Sequence, residues 1–187
     1  MDMINSEGNE KAEFFTKNSH LNDLSPEFVR WNGSGAFMQI GKIEHTSEGC
    51  ACPMGAIARD FLIHMTVDEG QWVLIDTEAG VEYFGRGIVD GVDSVLMVVD
   101  PSHDAVLLAQ KAAVLTREVN KDFGVVLNKV DEDTRPVLED MLSSKGIAVK
   151  GVLPYSSMIA QENLQGQSLG VASLKNEVDE LIEEIKS

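Results

Sequence analysis

Four short runs rich in Val, Leu and Ile constrain this chain most: WVLI (72–75), SVLMVV (94–99), FGVVL (123–127) and AVKGVL (148–153). They end at Asp76, Asp100, Asn128 and Pro154, which stand 24, 28 and 26 residues apart. Near-continuous apolar runs bounded by polar residues describe strands buried on both faces. The intervals fit a strand, a crossover helix and a return, and helical patterns fill them, most clearly from Asp104 to Asn120 and from Thr134 to Ser144. The expected architecture is α/β, a mainly parallel sheet with helices on both faces.

The flanks are less regular. Residues 1–35 are rich in Asn, Ser, Glu and Lys without a sustained period, and are expected to be loosely ordered ahead of a domain over 36–187. Ser25 and Pro26 suit the cap and first turn of a short helix. FMQIGKI (37–43) has strand character, and Pro53 suits the first turn of a helix through Met65 with Ile57, Phe61 and Leu62 on its apolar face. From Val171 to Lys186 a last helix spaces Leu174, Val178, Leu181 and Ile185 for docking on the sheet. Its other side carries five carboxylates against Lys175 and Lys186, whereas a membrane-surface helix would present cations.

Charge narrows the function. The formal net charge of -16 disfavours nucleic acid, because binding there depends on cations displacing counterions from phosphates. No apolar run approaches the roughly 20 residues that span a bilayer, and Met1 to Asn32 is too polar for a signal peptide. With only two cysteines there is no secreted disulfide framework, so the expected compartment is the cytoplasm, with neither membrane nor nucleic acid as partner.

In an open α/β sheet, ligands sit beyond the carboxyl ends of the strands. VLIDTEAG (73–80) offers Asp76 to a magnesium ion and Gly80 to a terminal phosphate; a βα turn with a capping Asp is the plainer alternative. In NKVD (128–131), Asn128 can donate and accept at once, as reading a purine edge requires. VLPY (152–155) adds Pro154 as a flat apolar wall. The stretch EGCACPMG (48–55) holds both cysteines, Cys50 and Cys52. A tetrahedral thiophilic site wants about four ligands, which two chains about a twofold axis would supply. Cys52 precedes a helix start, whose dipole favours thiolate. A site completed by His45, a strained redox disulfide and two unligated thiols remain open alternatives.

VLIDTEAGVEYFGRG, NKVD, the Pro-Tyr strand end and above all EGCACPMG resemble the MinD/ParA-type (deviant Walker) P-loop ATPases, from about Phe37 to the C terminus. More narrowly they resemble the CooC-like branch, the maturation ATPases of nickel-containing carbon monoxide dehydrogenase. The resemblance implies ATP with Mg2+ as cofactor, Asp76 as the magnesium-side carboxylate, Gly80 as the phosphate-side turn, and Asn128 with Pro154 as the purine site. It also selects the interchain reading of the thiols: Ni2+ or Zn2+ held by Cys50 and Cys52 in a homodimer, with carbon monoxide dehydrogenase as client. A phosphate loop, Gly-x-x-x-x-Gly-Lys-Ser/Thr, is the main departure. The closest stretch, AFMQIGKI (36–43), has Ala36 at the first Gly position and Ile43 at the hydroxyl position. The first βα units of the family are therefore expected to be missing, leaving this chain alone inactive as an ATPase. Two further readings stay open: a non-catalytic metal-binding or interaction protein derived from the family, and a related iron–sulfur assembly ATPase homologue.

Overall fold

The computed structural model describes residues 20–40, 52–77 and 87–186. The chain divides into two compact units, Met1–Glu78 with Gly85–Gly91 and Ala79–Phe84 with Val92–Ser187.

In the first unit, strands β1 (Val29–Asn32) and β2 (Gly35–Met38) form an antiparallel hairpin in which Asn32 faces Gly35. The two-residue turn between them starts with Gly33 at φ +60°, a left-handed conformation suited to a II′ hairpin turn. Ordered pairing thus begins inside the stretch whose composition suggests loose order. Of the strand expected over 37–43, Phe37 and Met38 lie in this hairpin arm, Gln39 and Ile40 follow it outside any strand, and 41–43 lie outside the described residues. Pro26 to Phe28 form a turn, closed by the Phe28 N–H donating to the Ser25 carbonyl at 2.9 Å, rather than a helix. Helix α1 (Cys52–His64) matches its expected span and buries Phe61. It packs on a 3-10 turn, Ile88–Gly91, whose Ile88 and Val89 are buried and whose Asp90 accepts from Arg59 Nε at 3.0 Å.

Residues 72–75 depart from the sequence expectation. They form no strand, and Leu74 is 87% exposed. A run apolar on both faces is stable as a strand only when neighbouring strands satisfy its backbone, and none among the described residues pairs with it.

The second unit holds the parallel sheet. Strand β3 (Ser94–Val99) pairs with β4 (Asp122–Val130), which pairs with β5 (Val149–Pro154), in the order β3-β4-β5. Helix α2 (His103–Glu118) crosses from β3 to β4 and α3 (Thr134–Ser143) from β4 to β5. Ser102 caps α2, its side chain accepting from the Ala105 N–H at 3.2 Å. Both helices cover one face, where Val99, Val125, Leu127, Val106, Ala109 and Leu142 form the core. On the opposite face, α5 (Lys175–Lys186), the helix after α4 (Ser157–Leu164), docks on β5. Gly151 permits that contact, since a Cβ there would lie 2.9 Å from Leu181 Cδ1. Docking of the last helix and helices on both faces are as the sequence implied; the sheet among the described residues has three strands, not four.

Candidate functional site

The carboxyl ends of β3, β4 and β5 bring Asp100, Asn128, Lys129 and Pro154 to one edge of the sheet. The bond lengths tie three of them together. Asn128 Nδ2 donates to Asp100 Oδ1 at 2.8 Å, and Lys129 Nζ donates to Asp100 Oδ2 at 2.7 Å. Each carboxylate oxygen therefore holds one donor, fixing the rotation of Asp100. Burial pushes the Asp100 carboxyl up, but the bonds from Lys129 and Asn128 and the Lys129 charge outweigh it and hold the group below its ordinary value. The Asp100 and Lys129 side chains remain 46% and 60% exposed, so solvent screens the ion pair, and pairs of this kind contribute about 0–1 kcal/mol. The cluster fixes geometry more than it adds stability.

A bulge makes this reach possible. Between the pairs Asn128–Leu153 and Val130–Pro154, β4 advances two residues against one on β5, and the extra residue is Lys129 with φ +57°. A left-handed lysine costs about 1–3 kcal/mol of backbone strain. Leu127 and Val130, three apart, both keep core positions across the bulge, and Lys129 is placed against Asp100. The Tyr155 N–H donates to the Val130 carbonyl at 2.9 Å, holding Pro154 and the half-exposed Tyr155 beside the end of β4.

Asp131, the last residue of NKVD, has a local task. Its Oδ1 accepts from Thr134 Oγ1 at 2.6 Å, the Thr134 N–H at 2.8 Å and the Asp133 N–H at 3.2 Å, capping the approach to α3. Hydrogen bonds from Thr134 hold its carboxyl below the ordinary value of 3.8. A depressed pKa means that its stabilisation is fully present above the ordinary value and is lost as pH falls through the lower folded one. Asp131→Asn keeps the acceptor but not the titration. Its acid unfolding curve is expected to fall less steeply below pH 3.8 than that of the wild type, measured by circular dichroism. Identical acid limbs would contradict this role.

The other expected site residues are placed less fully. Asp76 ends the exposed segment in the first unit, while Asn128 and Pro154 belong to the second. Gly80, Cys50 and His45 lie outside the described residues. Cys52 is the first residue of α1. Among the described residues no group of three or more His, Cys, Asp or Glu is arranged to hold a metal ion. No motif in the sequence assigns a role to Asp100 or Lys129, although Asp100 ends an apolar run just as Asp76 does.

At this edge Asn128 offers polar atoms and Tyr155, beside Pro154, offers exposed apolar surface. No family model matches the sequence. An uncharacterized ATP-binding protein of Methanocaldococcus jannaschii is 34% identical over 85% of this chain and 63% of its own length. A second from that organism is 29% identical over 87% of this chain and 64% of its own. The carbon monoxide dehydrogenase accessory protein CooC of Rhodospirillum rubrum is 30% identical over 63% of this chain and 50% of its own. The chain thus spans between half and two thirds of the length of these relatives. Among solved structures, the MinC:MinD cell division protein complex of Aquifex aeolicus has a TM-score of 0.46 at 17% identity, over 58% of this chain and 47% of that one. By sequence, the chain is similar to proteins described as ATP-binding, and these matches do not single out a CooC-like branch.

Proposed function

We propose that this chain holds the base of a purine nucleotide at the ends of β3, β4 and β5, as part of a CooC-like accessory protein for nickel insertion into carbon monoxide dehydrogenase. The Asp100–Asn128–Lys129 cluster carries the nucleotide reading, because it fixes a purine-edge reader at the strand ends where an α/β sheet binds its ligands. Asp76 would face the magnesium and Gly80 the terminal phosphate of ATP. Cys50 and Cys52 would hold Ni2+ or Zn2+ between two subunits, with Cys52 the first residue of α1. The protein would work in the cytoplasm, away from nucleic acid and membranes; among the described residues no helix is long and apolar enough to cross one.

Two measurements test this. Amide NMR of the full chain titrated with magnesium-ATP should show shifts at Asn128 and Tyr155 that Asn128→Ala abolishes; no shift at millimolar ATP would refute the nucleotide reading. Size exclusion with elemental analysis should find a dimer with about one metal per two chains, lost in Cys50→Ser and Cys52→Ser. A metal-free wild type, purified reduced with nickel or zinc supplied, would refute the metal reading. A second reading, a non-catalytic metal-binding or interaction protein derived from the family, is supported by β2, which holds Ala36, Phe37 and Met38 of the stretch nearest in sequence to a phosphate loop.

A further inference from the structure

Asn128 ends in two chemically opposite atoms of nearly equal size, and which of them faces a ligand decides what base it accepts. That choice is normally ambiguous, because a side-chain amide fits either way round. Here the neighbour removes the ambiguity. Asp100 is held ionised, and a carboxylate can only accept, so the atom 2.8 Å from its Oδ1 has to be the amide nitrogen. Lys129 takes the other carboxylate oxygen, so Asp100 cannot turn away to let the amide reverse. The Asn128 carbonyl oxygen and the second amide N–H thereby meet a ligand in a fixed order, and no hydrogen-bond donor is found for the oxygen among the described residues. Where a base brings its 6-position to that oxygen, an exocyclic amino group is attracted and a carbonyl oxygen repelled.

We infer that Asp100 is a specificity-determining positioning residue: by fixing the amide of Asn128, it makes the site select 6-aminopurines over 6-oxopurines. This rests on the proposed site for ATP and adds to it the residue that enforces the choice of base. Asp100 itself touches no ligand. The selection is made one residue away, in the orientation of a neutral amide.

Adenosine and inosine are suitable probes, since they differ in the group at position 6 and carry no phosphates. Titrations of the full chain with each nucleoside, followed by NMR at the Asn128 side-chain amide, give two dissociation constants. The wild type is expected to prefer adenosine by about tenfold, the size of one well-made against one repulsive hydrogen bond. In Asp100→Ala the amide is free to reverse, and the ratio should fall close to one, with inosine binding unchanged or tighter. Asp100→Asn, nearly isosteric, should narrow the ratio in the same sense and guards against a folding defect. A purely structural role for Asp100 would weaken both nucleosides together and leave the ratio intact. A preference that survives in both folded variants, or a wild type without preference, would overturn the inference while leaving the purine site standing. If neither nucleoside binds the wild type, the purine site falls, and the inference with it.

Discussion

Incubated with magnesium-ATP, the purified chain is expected to release no phosphate above background. Phosphoryl transfer in P-loop enzymes rests on a lysine, a cradle of backbone N–H groups and a Ser/Thr that holds magnesium, all at a strand–loop–helix junction. Residues 36–43 are the nearest sequence approach to that motif, yet Ala36, Phe37 and Met38 lie in β2, the arm of an antiparallel hairpin, with Phe37 65% exposed. Extended backbone there directs its N–H groups along a ladder, not around a phosphate. Lys129 is no substitute, because Asp100 neutralises it. Loss of a single oriented donor commonly costs about 100- to 1,000-fold in rate, so loss of the whole cradle removes measurable turnover. Asp76→Ala is the control. Magnesium-dependent hydrolysis that this substitution eliminates would show that some other part of the chain supplies the missing charge.

Leu142→Ala is expected to lower stability by about 2–5 kcal/mol, and Leu74→Ala to change it by less than about 0.5 kcal/mol. Leu142 is fully buried between α3 and the sheet, where truncation removes apolar contact and leaves a cavity that close packing cannot refill. Leu74 already faces solvent. Denaturant unfolding of both variants decides between the sequence and the structure at 72–75. A large loss from Leu74→Ala would mean that this run packs as a strand in solution.

That contrast marks how far the sequence was legible. Runs 94–99, 123–127 and 148–153 became strands because each has a paired neighbour within the chain, and the helices between them kept their expected spans. Run 72–75 has the same composition but not the same surroundings. Hydrophobicity reports the wish to be buried, whereas a ladder depends on a neighbour that composition does not name. The strand-end positions of Asn128 and Pro154 were readable from the apolar runs they close. The roles of Asp100 and Lys129 were not, because they arise from contacts 28 and 29 residues apart in the chain. In Asp131 a familiar tetrapeptide concealed a helix cap.

The bulge in β4 can also be viewed by counting. Side chains alternate along a strand, so after Leu127 the next core position of a regular strand would be 129. A chain lacking Lys129 would deliver the same valine to that place, with no left-handed residue and Asn128 still at the strand end. The interior needs one residue fewer than it has. What the additional residue provides is a cation on Asp100, so the strain at this point is carried for the rim of the sheet, where a ligand would meet it, and not for the core.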